Sequence, residues 1–202
     1  MSGIIQGFLA SIQNIITLLF DAAKTSSYTT LSNSNRTVTA NSYYHAGPSI
    51  GTRSIGSEKV MFSFTLNIFS GHTLGDSIGI ANNSFSSSEN LGSDVNSIGF
   101  YSNGSCYYNS NIAGTSVDFQ NDGNILDVCV DNINHSIWIR VDGGNWNGDV
   151  SANPSTNNLG ISFSLGGDSV YPVAAPLNYN YNGQFTINQT PTYSTPTFFT
   201  FI

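Results

Sequence analysis

The pattern of apolar and polar residues changes once along the chain. Between residues 3 and 24, Ile5, Phe8, Ile12, Ile15 and Leu19 recur at spacings of three and four, and Ile4, Leu9, Ile16 and Phe20 widen the same stripe. Gln6, Ser11, Gln13, Asn14 and Thr17 fall on the opposite side. This period predicts an amphipathic helix with a broad apolar face. Ser2 suits its N-cap, and Lys24 suits its last turn, where the helix dipole favours a cation. From Ser26 onward the period falls to two. Val60, Phe62, Phe64, Leu66 and Ile68 alternate with Ser63, Thr65 and Asn67, which predicts a half-buried strand. Shorter strands are predicted at 77–81, 97–101 and 106–108. Leu126, Val128 and Val130 alternate with Asp127, Cys129 and Asp131. After Asn132 to His135 the chain resumes as Ile137, Ile139 and Val141, so the two runs read as a hairpin. Further strands are expected at Ile161 to Leu165, at 171–174 and at 184–187.

Many short strands at roughly ten-residue intervals, separated by Gly and Asn turns, predict an all-β antiparallel sandwich or barrel. The expected division is a helix over 1–26, a sandwich over 27–190 and a tail over 191–202. The tail, with two prolines and three phenylalanines, is expected as an edge strand or as a cover on a neighbour. In a sandwich the two sheets already cover each other, so the helical stripe is surplus. Self-association or docking on another protein is favoured for it over packing within the chain. Ile5, Phe8, Ile12, Ile15 and Leu19 are the candidate oligomerisation residues, and isoleucines in such a stripe favour a trimer. The polar side has no Lys or Arg to meet anionic lipid.

Composition narrows the function. Of 202 residues only 8% are charged, with 12 acidic against 5 basic and a net charge of -7. Recognition of nucleic acid through its phosphates needs clustered cations, so no nucleic-acid partner is expected. A hydrophobic share of 39%, with 12% aromatic, argues against disorder. No apolar run approaches the roughly 18–20 residues that span a bilayer. The first residues lack the basic stretch of a secretory signal, so synthesis in a cytosol without export is the expectation. Cys106 and Cys129 are expected as small strand residues, far apart and in no metal-ligand spacing.

The order of segments from about Leu31 to Asn188 resembles a SPRY-like domain, a concanavalin-like jelly-roll sandwich. Ser97 to Gly104 is similar to the family's strand and glycine turn. Asp122-Gly123-Asn124-Ile125-Leu126-Asp127-Val128-Cys129-Val130-Asp131 is similar to its "GDxIGVxxD" strand. Ile137 to Gly144 resembles the strand that follows, and Val170-Tyr171-Pro172-Val173 the late "YPxV" step. Asn124 stands where the family has an acidic residue, and Lys59 to Phe64 lacks the tryptophan and glutamate of the early "WYWEV" strand. The stretch Trp138 to Gly148 is similar to the form of this domain in bacteriophage tail and virion proteins. The resemblance implies a jelly-roll sandwich acting as a binding module.

Because concanavalin-like sandwiches include glycosidases, a carboxylate pair must be sought. The only glutamates, Glu58 and Glu89, read as a strand start and a loop, and Asp127 and Asp131, which share a strand face and could flank a site, read rather as solvated outward carboxylates or hydrogen-bond partners of turn amides. His45, His72 and His135 are scattered. Asp118, Asp122 with Asn124, and Asp142 with Asn145 and Asp149 are read as turn residues rather than calcium ligands. No catalytic residue, metal or cofactor is expected. Aromatic and amide side chains in loops are the candidate ligand-binding set: Tyr43, Tyr44, Tyr107, Tyr108, Trp146 with Asn145 and Asn147, Tyr179 and Tyr181. The expected function is a non-enzymatic structural component of a bacteriophage virion (a tail, fibre or decoration protein) assembled in the host cytoplasm. Its partners would be itself, other virion proteins and host-surface polysaccharide. The alternative is a soluble carbohydrate-binding, lectin-like module outside any particle.

Overall fold

The computed structural model describes residues 17–167 and 169–202. Period-two alternation becomes strand in chain order: β1 (Phe20–Thr25), β2 (Thr29–Ser32), β3 (Thr37–Ala40), β4 (Ser49–Gly51) and β5 (Lys59–Ile68). Next come β6 (Ser77–Asn82), β7 (Ser97–Tyr101), β8 (Ser105–Tyr108), β9 (Asn111–Thr115) and β10 (Ile125–Asp131). The rest are β11 (Ser136–Val141), β12 (Ile161–Ser162), β13 (Val170–Ala175), β14 (Gln184–Ile187) and β15 (Thr200–Phe201). They form two sheets. One runs β1-β4-β13-β6-β7-β8-β9 and the other β12-β11-β10-β5-β14-β3-β2. All neighbours pair antiparallel except β15, which runs parallel to β5 at Val60 and Met61, beyond the part of β5 that β14 covers. The antiparallel two-sheet sandwich expected from the strand pattern is therefore present.

Alternation decides what each strand buries. Phe62, Phe64 and Leu66 of β5, Leu126, Val128 and Val130 of β10, and Ile137 and Ile139 of β11 face Ile78, Ile80, Ile98 and Phe100 of the other sheet. This inter-sheet core excludes water from every large side chain in it, the dominant favourable term in such a fold. The β10–β11 hairpin pairs in register from Leu126 opposite Val141 to Asp131 opposite Ser136. Asp131 caps its turn, accepting the Asn134 Nδ2 at 2.7 Å and the backbone N–H groups of Ile133 and Asn134.

The N-terminal helix is overturned where it can be compared with the structure. Residues 20–25 are strand β1, paired with β4. Leu18 and Phe20 are each 1% exposed and belong to the main core. The Phe20 ring stacks on Phe64 at 6.0 Å. Leu19 is half-buried and its backbone is tied to Thr52. An apolar-rich run satisfies a period of two as well as 3.6, and the open edge at β4 gives Phe20 a place in the core. The sandwich thus includes residues assigned above to the helix, and Leu19 serves its own fold. Ile5, Phe8, Ile12 and Ile15, with the rest of the expected helix, lie outside the described residues.

The outer faces carry smaller apolar layers. On the β5 sheet Met61, Cys129 and Trp138 form one cross-strand row. Trp146, Ala152 and Phe199 cover it, so the tail lies on its own chain. Arg140 fastens this cover. Its guanidinium bonds the Asp127 carboxylate at 2.8 Å and the Ser194 carbonyl at 2.7 Å, and lies 4.4 Å from the Trp146 ring centre. On the other sheet Ile50, Val173, Gly79, Gly99, Tyr107 and Ile112 stand in register across five strand pairs. The loop after β6 folds over that row through Phe85 and Leu91. Gly99 is required there, because a Cβ on it would lie 2.9 Å from the Leu91 side chain.

Candidate functional site

Where the covering loop stops, the row of outward residues emerges as a groove. Tyr101, at the end of β7, stands at its floor. Its hydroxyl donates to the Leu91 carbonyl at 2.8 Å, and burial pushes its phenol up to about 12, so it is a fixed, neutral post. Tyr107 of β8 meets it edge-on, with ring centres 5.2 Å apart. Leu91, Gly92, Ser93 and Ser110 complete this part, a hollow of about 300 Å³. Gly92 has a φ of +82°, and a Cβ there would strike the Tyr107 carbonyl, so glycine lets the loop close onto β8. Leu74, Asn90 and Tyr101 also line a second hollow of about 200 Å³, bounded by Tyr44, His72 and Leu177. The two hollows adjoin and together form the groove, with no Asp, Glu, Lys or Arg among its described lining residues.

An aromatic cluster forms the far wall. Tyr43 and Tyr179 are near parallel at 6.3 Å, and Tyr44 sits edge-on to both, at 4.1 Å and 5.2 Å. His72 meets Tyr179 at 4.8 Å. Hydrogen bonding to Tyr43 raises Tyr44 above the ordinary value of 10 against an opposing pull from Tyr179, and hydrogen bonding to Tyr44 raises Tyr179. Tyr43 and Tyr44 are 56% and 59% exposed, yet the backbone fixes them: the Tyr44 N–H donates to the Asn178 carbonyl at 2.9 Å. Tyr44 has a φ of +61°, a left-handed conformation unusual for a bulky side chain.

Asp76 bolts the walls together from beneath. It is fully buried, and its two oxygens accept from different loops, the Ser70 N–H at 2.8 Å and the Leu177 N–H at 3.0 Å. Burial lifts its carboxyl to about 6, against the pull of those two donors and of nearby His72.

Of the expected residues the structure brings Tyr44 and Tyr107 to this groove; Tyr43 and Tyr179 pack around Tyr44 without lining it, and exposed Tyr181 lies on the same loop as Tyr179. It does not bring the others. Tyr108 packs against the main core and donates to the Ser164 carbonyl at 2.7 Å. Trp146 is 9% exposed in the cover over the β5 sheet, and Asn147 holds the backbone of Ile139 and Leu159 with its amide. Asn145 is exposed beside them, away from the groove lining. These three secure a loop of their own chain. Sequence reasoning missed Tyr101, Leu74, Leu91 and the role of His72. The one usable signal was Gly99, a small residue in a strand, marking where another segment approaches. The buried acids have structural partners: Asp127 with Arg140, and Asp131 with Lys59 at 2.7 Å. Burial leaves Asp127 raised despite Arg140. For Asp131 burial works upward, but Lys59 and Asn134 outweigh it and hold the carboxyl low.

No protein-family model and no curated protein sequence matches the chain. Solved structures do. The SPRY domain of human HERC1 superposes with a TM-score of 0.68 at 14% identity, covering 86% of this chain and 99% of that one. The TRIM65 PSpry domain gives 0.60 at 10% identity over 86% and 90%. A human SPRY domain gives 0.55 at 11% identity over 81% and 96%. The chain has a SPRY-like fold.

Proposed function

We propose that this chain is a non-enzymatic recognition module whose ligand seat is the tyrosine-walled groove, carried on a bacteriophage-type particle where it meets the host surface or a neighbouring virion protein. The observation that carries the recognition reading is the rigid aromatic wall. Bulky, exposed tyrosines are held by backbone bonds beside the groove, one of them in a strained conformation. Strain of this kind persists only where the surroundings over-determine it, and it clusters at ligand clamps. Tyrosine supplies large, amphipathic contact area at low entropic cost. The particle setting is supported by the likeness of Trp138 to Gly148 to virion sandwiches.

Two experiments test the two halves. Quantitative mass spectrometry of particles purified from the producing cells should find the chain at a fixed copy number, and its absence rejects the particle setting. Particles carrying Tyr44→Ala with Tyr107→Ala should adhere to host cells at least tenfold less than wild type. Undiminished adherence would reject the groove as the seat.

A further inference from the structure

The groove has a chemistry that selects among ligands. No Asp, Glu, Lys or Arg lines it among the described residues, although the chain carries a net charge of -7. An ionic ligand would find no counter-charge in it. The strands at its floor, β7 and β8, are paired on both sides, by β6 and by β9. An extended peptide that binds by strand addition would find no main-chain edge to join.

What the groove does offer is phenol rings with polar atoms between them. His72 accepts the Leu74 N–H through Nδ1 at 3.2 Å, so the proton of the neutral ring sits on Nε2, a donor left for another acceptor. Asn90 adds an exposed amide shared by both hollows. Flat aromatic faces with interspersed imidazole N–H and amide groups match one ligand class. A pyranose ring has an apolar C–H face to lay on tyrosine and hydroxyls that both donate and accept.

Resting on the recognition reading above, we infer that the groove binds a neutral oligosaccharide, stacked on Tyr44 and Tyr107 and hydrogen-bonded at His72 and Asn90. The test uses an array of unsubstituted and N-acetylated neutral oligosaccharides beside sulfated and uronic-acid glycans, with a random-peptide display library run in parallel. Binding to at least one neutral structure is expected, changing less than twofold between 50 mM and 500 mM salt. It should fall tenfold or more in Tyr44→Ala and in Tyr107→Ala. Asn90→Ala, which removes only an exposed amide, should keep the melting temperature and still lose affinity. Binding only to charged glycans, or neutral-glycan binding that survives all three substitutions, overturns the inference. A peptide ligand lost in Tyr44→Ala also overturns it but leaves the recognition reading standing, and silence on both arrays ends both.

Discussion

Asp76 shows how one side chain shapes the site. An asparagine there has one acceptor oxygen, so it can hold Ser70 or Leu177 but not both. Asp76→Asn is expected to lose roughly 1–3 kcal/mol, the cost of a buried donor left unmet, read by chemical denaturation at pH 7. Wild type carries a further signature. Its folded carboxyl titrates at about 6, above the ordinary 3.8, because burial disfavours the charge. Between those values the unfolded chain releases a proton that the folded chain retains. Stability from this group therefore falls as pH rises from about 4 to 6 and is level above 6. Denaturation curves at pH 4, 5, 6 and 7 should show that slope in wild type and not in Asp76→Asn. Phe198 and Phe199 make a second residue-scale contrast. Phe198 is 78% exposed at a φ of +71°, whereas Phe199 packs on Trp138. Phe198→Gly should leave stability within about 1 kcal/mol of wild type, and Phe199→Ala should cost about 3 kcal/mol, both measured by thermal melting.

At the scale of elements, the paired edges decide the outcome. Strand β1 was read as helix because Leu19 and Phe20 fit a stripe, and nothing local reveals that β4 is waiting as a partner. Phe20→Ala should cost about 3–5 kcal/mol, as expected for a core phenylalanine and not for a solvent-facing helix residue. The β10–β11 hairpin and β5 were legible because each alternates cleanly over many residues. Strands β2, β3, β4 and β9 were not, being short runs of three to five residues, too brief for an alternation to show. Site residues followed the same rule. Exposed tyrosines in loops advertise themselves, but Trp146 could not be told from a ligand contact until Arg140 was seen against it. Arg140→Met should strand the Asp127 carboxylate without its cation. A loss of 3–5 kcal/mol and early proteolytic cleavage within residues 191–202 are expected.

Across the whole molecule, the sandwich carries its tyrosine-lined groove on the outer face of one sheet and its Arg140-fastened cover on the outer face of the other. The two sit on opposite sides of a shared core. Damage to one should spare the other. Trp146→Ala is expected to loosen the cover while leaving ligand affinity at the groove within twofold, which titration calorimetry with an array-identified oligosaccharide would check. Opposed faces also allow the cover side to lie against a support while the groove points outward.

The parallel pairing of β15 with β5 has a consequence for biosynthesis. Val60 leaves the ribosome long before Thr200, its hydrogen-bonding partner, has been made. Until then the N-terminal half of a central strand keeps one row of amides and carbonyls bare, an invitation to pair with another nascent chain. That row is covered only once Thr200 and Phe201 arrive beside Val60 and Met61.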